Sequence, residues 1–417
     1  MNSFVLSILV GSAIIGALCA IMGVFNLLLK RPLIADSIAH ATLPGIALGF
    51  LLFNEKNILI LFIGACTTSM LSIFYSDWLK RKSKLKNDSI MAIGLSTFFS
   101  IGLCLVSYVQ NQNSGKQTGL ENYLFGNASS LNIDEMMYAS IILIALLAIF
   151  AIFHKRFQLV LFNIDYAKSI GLNSTLYLFL ISLFSVLAIA LSVKAMGIVL
   201  ASALLISPAL AMRYWRTRFV WLFILAGVVG AVTASFGAYL SYAYNNTPTG
   251  SAIVLSLFIF VVFSVAFGNS GGLIKAFYQQ RSRRRKIIAE NVLKLFYYSQ
   301  KEHVDGESYF TESALLDSDR INENDLKKGL KILTRKGIIS FANGKYKPSP
   351  EGWEYTLSLV RRHRLWELYL THKLNLDAFH VHQDAEMAEH LITEKIEAQL
   401  LRYLDNPDTD PHNQQIP

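Results

Sequence analysis

Charge is what the first two thirds of this 417-residue sequence lack. From Met1 to about Gly268 long apolar runs alternate with short polar breaks, and ionisable side chains inside the runs are nearly absent. Such a group costs about 3 kcal/mol at mid-bilayer, so the scarcity is what membrane spans require. Cysteine is scarce as well. Cys19, Cys66 and Cys104 are far apart, lie inside apolar runs and make no metal-ligand spacing, so they read as small buried hydrophobes. A Walker A sequence is missing: Gly115-Lys116-Gln117 and Gly344-Lys345-Tyr346 both lack the Ser/Thr and the upstream glycine spacing. If ATP drives this protein, another chain must hydrolyse it. The first apolar segment lacks a basic leader and a small-residue cleavage site, and reads as a retained span, not a signal peptide.

What is present is apolar mass, unevenly spread. With 53% hydrophobic residues and a mean hydropathy of +0.41, the chain is too apolar for an ordinary soluble protein. From Gly272 onward charged residues reach the density of a soluble domain, and roughly 140 residues suffice to bury a separate core. The net charge of +9 would suggest nucleic acid in a soluble protein. Much of it sits instead in short segments: Lys80 to Lys86, His154-Lys155-Arg156, Arg213 to Arg218, and Arg281 to Lys286. That is the positive-inside pattern of cytoplasmic loops.

The hydropathy predicts eight or nine spans, at about 4–29, 33–53, 58–79, 89–109, 133–153, 174–193, 196–212, 219–243 and 251–268. The 196–212 segment is the shortest and contains Pro208, which suggests a re-entrant or broken helix. The soluble part predicts helices over 283–300, 311–316 and from Asn322 to Gly337, then a hairpin turning at Ala342-Asn343-Gly344-Lys345. Three helices and a small wing make a winged helix-turn-helix. Further helices are expected over 350–372 and 383–404. The fold class is thus an all-α polytopic membrane protein with a C-terminal winged-helix domain. Its parts are spans over 1–268, a basic cytoplasmic linker over 269–286, the winged helix over 287–349, and a helical region over 350–417.

Two constellations could carry chemistry. Asp36 and His40 lie four residues apart in one span, which sets a carboxylate and an imidazole on one helix face. Both are ligand types for a first-row divalent ion. A structural hydrogen-bonded pair and a proton path are the competing readings. Lys194, at the edge of a span, reads as a snorkelling lysine. In the soluble part His363 and Glu367 are i,i+4 on one helix, and His382 precedes a helix carrying Glu386, Glu389 and His390. These six nitrogen and oxygen donors could form one or two sites for manganese, iron or zinc, with a solvated Glu/His face as the alternative.

Residues 1–268 resemble the permease subunit of zinc/manganese/iron ABC transporters. The likeness rests on the Asp-Ser-Ile-Ala-His-Ala-Thr-Leu-Pro-Gly run at 36–45, Tyr-Leu-Phe-Gly at 123–126, and Asp-Tyr-Ala-Lys-Ser-Ile-Gly at 165–171. The Gly197–Pro208 stretch and Pro248-Thr249-Gly250 support it. The resemblance implies that Asp36 and His40 belong to the metal path. It also implies that 163–172 docks the ATPase, with Asn163, Asp165, Ala167 and Gly171 as docking residues. Asn245-Asn246 stand where an acidic residue is common in the family. Residues 287–417 resemble the iron-dependent (diphtheria toxin) repressor family, whose tail the closing 407–417 segment matches. That resemblance assigns Glu386, Glu389 and His390 to a primary regulatory site and His363, Glu367 and His382 to an ancillary one. Of the first-helix ligands only Glu290 aligns, and Leu293 stands where a carboxylate can occur.

The expectation is a permease subunit of an ABC importer for manganese, zinc or iron in the bacterial cell membrane, with no catalytic residues and no bound ATP. Its expected partners are cytoplasmic ATPase subunits, an extracytoplasmic metal-binding protein and a second permease, a copy or a paralogue. The cytoplasmic domain is expected to sense metal and regulate transport. The alternative is a membrane-tethered metal-dependent transcription regulator. Lys327, Lys328, Lys331, Arg335 and Lys336 make the recognition helix basic, but Glu323 and Asp325 open it, and DNA is not expected as a partner.

Overall fold

In a bilayer every backbone polar group must find its partner within the protein, and an apolar run of about 20 residues does so as a helix. The computed structural model describes residues 3–53, 57–111, 133–215, 218–244, 247–302, 309–316, 321–374, 392, 394–412 and 414–417. It divides into two compact units, Met1–Lys275 and Ala276–Pro417. In the first unit the order is α1 (Ser3–Leu28), α2 (Ile34–Phe53), α3 (Ile58–Lys82), α4 (Asn87–Asn111) and α5 (Ile133–Phe162), then the short α6 (Ile164–Ser169). It continues with α7 (Ser174–Met196), α8 (Ile198–Arg213), α9 (Phe219–Ala243) and α10 (Thr249–Phe267). Eight of these are long and apolar enough to cross a membrane, and α8 is a shorter apolar helix.

Two expectations change. The α8 segment is one helix despite Pro208, because a proline removes a single intrahelical bond and neighbours enclose it. The α5 helix runs nine residues past the expected 153, since nothing breaks it before Asn163 caps the next helix. His154 therefore joins His40 as a histidine within a span-forming helix.

Lipid offers no hydrophobic drive between spans, so close backbone approach matters. α1 packs along α9 and α2 along α3. A Cβ on Gly16 would stand 2.4 Å from the Gly230 carbonyl oxygen, and one on Gly45 would stand 2.0 Å from that of Gly64. Hydroxyls close the α2–α3 seam: Thr68 donates to the Ala41 carbonyl at 2.7 Å and Ser69 to that of Ile38 at 3.1 Å.

The second unit contains most of α11 (Leu273–Glu302), which takes in much of the expected linker as helix because no glycine or proline interrupts it. α12 (Glu312–Leu315) and α13 (Glu323–Arg335) follow, then β1 (Ile339–Ala342), β2 (Lys345–Pro348), α14 (Pro350–Leu374) and α15 (Glu394–Tyr403). The strands pair antiparallel with Ala342 opposite Lys345. Asn343 and Gly344, at φ 53° and 78°, make the two-residue turn that asparagine and glycine favour. A bridge from Phe310 to Tyr346 extends the wing, which the sequence pattern does not announce. Val292, Phe296, Leu315, Leu326, Leu330 and Leu333 form the core, and Leu293 is fully buried in it. Of the helix expected over 383–404, the structure describes only the α15 end.

Candidate functional site

Asp36 falls in the first turn of α2 and His40 one turn later. Both are partly exposed. The His40 ring meets Phe99 of α4 edge-on, with centroids 4.6 Å apart. Its Nδ1 is buried and makes no hydrogen bond among the described residues. Pro44, four residues on, has no amide to offer the His40 carbonyl, so the helix loses one bond at this histidine. Around the pair, small side chains tie α2 to α3, with the Ser37 and Ser72 hydroxyls 3.3 Å apart. The arrangement leaves an imidazole nitrogen and a carboxylate on one helix face, which can ligate a divalent cation.

Lys194 does not snorkel. Its Nζ lies 2.6 Å from Glu135 Oε1, joining the last turn of α7 to the first turn of α5. Sequence reading missed Glu135, because its partner is 59 residues away.

The α6 helix is capped by the Asn163 side chain, which accepts from the Tyr166 amide at 3.0 Å. Gly171, at φ 81°, turns the chain out of it. Asp165 is almost fully exposed and Ala167 fully buried. Ala167 therefore anchors the helix and offers no surface to a partner. The exposed apolar side chains are Tyr166 and Ile170.

In the second unit His363 Nε2 lies 3.2 Å from Glu367 Oε1, with both side chains buried. They line a cavity of about 150 Å³ with Lys294, Arg364, Asp410 and His412. Arg364 holds the C-terminal tail: it donates to the Gln415 carbonyl and, at 2.8 Å, to Gln414 Oε1, and faces Asp410 Oδ2 at 3.5 Å. Asp410 in turn accepts from the amides of His412 and Gln414. As a nitrogen and an oxygen donor in a buried cavity, His363 and Glu367 suit a first-row divalent ion. His382, Glu386, Glu389 and His390 lie outside the described residues. Among the described residues no three His, Cys, Asp or Glu side chains group closely enough to hold a metal. Glu290 accepts from the Tyr355 hydroxyl and lies 3.5 Å from Lys286 Nζ.

On α13, Lys327 pairs with Glu323 at 2.5 Å and Glu312 at 3.7 Å, and Lys328 with Asp325 at 3.0 Å. Lys327 holds the Glu323 carboxyl below its usual range, and Glu323 raises Lys327.

A multi-helix membrane bundle with a carboxylate–imidazole pair in one span, joined to a winged-helix unit, defines a multi-pass membrane transporter subunit with a fused metal-sensor-like domain. The chain belongs to the ABC 3 transport family, whose model matches residues 1–268. Residues 349–417 match the iron dependent repressor, metal binding and dimerisation domain. The chain is 31% identical over 379 residues to the manganese transport system membrane protein MntC of Bacillus subtilis, covering 90% of this chain and 86% of that one. It is 29% identical to the zinc transport system membrane protein TroC of Treponema pallidum, over 68% of this chain and 94% of that one. Among solved structures it is similar to PsaBC from Streptococcus pneumoniae in complex with Fab. There the TM-score is 0.59 and the identity 26%, covering 66% of this chain and 96% of that one.

Proposed function

We propose that this chain is the permease subunit of an ATP-driven importer for a divalent transition-metal ion, regulated by its own C-terminal metal sensor. The observation that carries the reading is the Asp36–His40 face of α2, with a buried His40 nitrogen that no group among the described residues bonds. The cargo would pass between these donors as α2, α3 and α4 change their packing. Relatives named for manganese and zinc transport support that class of cargo.

Basic residues follow α1, fall in the last turns of α3 and α8 and lie in the C-terminal third of α5, at Arg31, Lys80-Arg81-Lys82, Arg213 and Lys155-Arg156. By the positive-inside preference these ends face the cytoplasm, which puts α6 and the second unit there and the start of α5 outside. The α6 surface of Asp165, Tyr166 and Ile170 then docks a separate ATPase subunit. A second permease and an extracytoplasmic metal-binding protein complete the importer.

A regulatory ion in the C-terminal site would be held by His363 and Glu367, with His382, Glu386, Glu389 and His390 as the further donors, and would add the positive charge these carboxylates favour. Arg364 keeps the tail seated over that cavity. α11 begins five residues beyond the last span and supplies Val292 and Phe296 to the sensor core, so one helix links sensor and permease. The carboxylates paired with Lys327 and Lys328 weaken the attraction of α13 for DNA phosphates, which favours a brake on transport over a DNA-binding role.

Uptake of manganese, zinc and iron(II) by cells carrying Asp36→Ala or His40→Ala tests the permease site. Loss of at least tenfold in each is expected; normal uptake in both would remove the pair from the path.

A further inference from the structure

One buried charge pair has no part in the site built so far. Glu135 and Lys194 meet at 2.6 Å with side-chain exposures of 7% and 19%. Taking both charges out of water is costly, and apolar residues of similar size would hold two helices as well or better. α5 and α7 need no such staple, because Ala139, Leu146, Ile181 and Phe184 already belong to one apolar core.

The pair also borders a cavity of about 40 Å³, whose other walls include Ile15, Ile46, Phe62 and Tyr138. That is room for a few water-sized particles. Ile46 lies on α2, six residues beyond His40 and so about 9 Å further along the helix, away from the basic end. The cavity therefore stands on the extracytoplasmic side of the Asp36–His40 face. Lysine is the more exposed partner, at the wet side of the pair. Its single-point ammonium on a flexible stem can swing away from a carboxylate, as a forked guanidinium cannot do without breaking two bonds.

We propose that Glu135 is the entry ligand for the transported divalent cation, and that Lys194 is a tethered counter-ion that occupies this carboxylate until the cation displaces it. Lys194 pairs with the Glu135 carboxylate and so keeps it from becoming a trap. An arriving divalent ion, with twice the charge, takes the carboxylate oxygen and drives the ammonium toward water. The ion then moves on to His40 and Asp36. This inference rests on the permease reading above.

The test uses the full-length chain assembled in proteoliposomes with its ATPase subunits, the second permease and the extracytoplasmic metal-binding protein, with Mn²⁺ as the probe. Without ATP, Lys194→Met is expected to retain one more Mn²⁺ per chain than the wild type, bound at least tenfold more tightly, and Glu135→Gln in the same chain is expected to remove it. Equal Mn²⁺ retention in Lys194→Met and wild type overturns the proposal. Should Lys194→Met not assemble, the neutral pair Glu135→Gln with Lys194→Met decides. Its half-saturating Mn²⁺ for uptake is expected to rise at least tenfold, and an unchanged value makes the pair a structural staple. Wild-type liposomes that take up neither manganese, zinc nor iron(II) would overturn the permease reading and this inference with it. Normal wild-type uptake with unaltered variants overturns the inference alone.

Discussion

The Tyr355 hydroxyl on α14 donates to the Glu290 carboxylate on α11, fixing the acidic side chain of that helix that aligns with a first-helix ligand position of the repressor family. Burial and the neighbouring Glu290 raise the Tyr355 pKa above its ordinary 10.0. A raised pKa in the folded state means stability that is complete below pH 10 and lost as pH climbs toward the folded value. Tyr355→Phe should lower the stability of the second unit by about 1–2 kcal/mol near neutral pH, because it leaves a buried carboxylate short of a donor. It should also flatten the alkaline loss. Chemical unfolding of residues 273–417 between pH 7 and 11 measures both; an unchanged alkaline slope would count against the pairing.

The α2–α3 seam is sharply position-dependent. At Gly45 a Cβ would strike the Gly64 carbonyl, whereas at Gly49 its nearest neighbours stand 3.4–3.6 Å away. Gly45→Ala should therefore force the helices apart and reduce folded protein in the membrane several-fold. Gly49→Ala should be close to neutral. Detergent-extracted yield and thermal unfolding of the two variants give the comparison.

At α6 the exposed side chains separate from the anchor. Asp165→Lys, or Tyr166→Ala with Ile170→Ala, should leave the permease folded while reducing co-purification with the proposed ATPase subunit at least several-fold. Ala167→Leu should instead damage the permease itself, since Ala167 is fully buried and a larger side chain there overpacks the contact. Pull-down yield set against permease recovery tells the two effects apart.

Arg364 is buried and binds the tail through several groups, so Arg364→Ala leaves Asp410 without its guanidinium partner. Breaking such a pair costs about 3–5 kcal/mol. Hydrogen exchange over residues 407–417 should speed up first, and slow exchange retained there would contradict the assigned role of Arg364.

The brake makes its own prediction. Deleting residues 287–417, or changing Glu367 to Ala, should raise uptake when cytoplasmic metal is high and change it little when metal is low. Metal-uptake rates in cells preloaded with manganese or starved of it decide; equal rates in deletion and full-length chains would dismiss a regulatory tail.

By itself the sequence determined the elements whose causes are local. Hydropathy marks the spans because a bilayer demands about 20 apolar residues of each, and Asn343-Gly344 marks the wing because few residues accept positive φ. The Asp36–His40 pair was legible for the same reason, since i,i+4 spacing on a helix needs no tertiary information. The tertiary structure decided whatever joins distant residues. Glu135 with Lys194, Tyr355 with Glu290, and Arg364 with the tail are each 50 or more residues apart. Burial of Ala167 and Leu293 likewise depends on which face a neighbouring helix covers. No periodicity encodes these meetings, because they arise from packing, and it is packing that turns a lysine at the edge of a span into half of a buried ion pair.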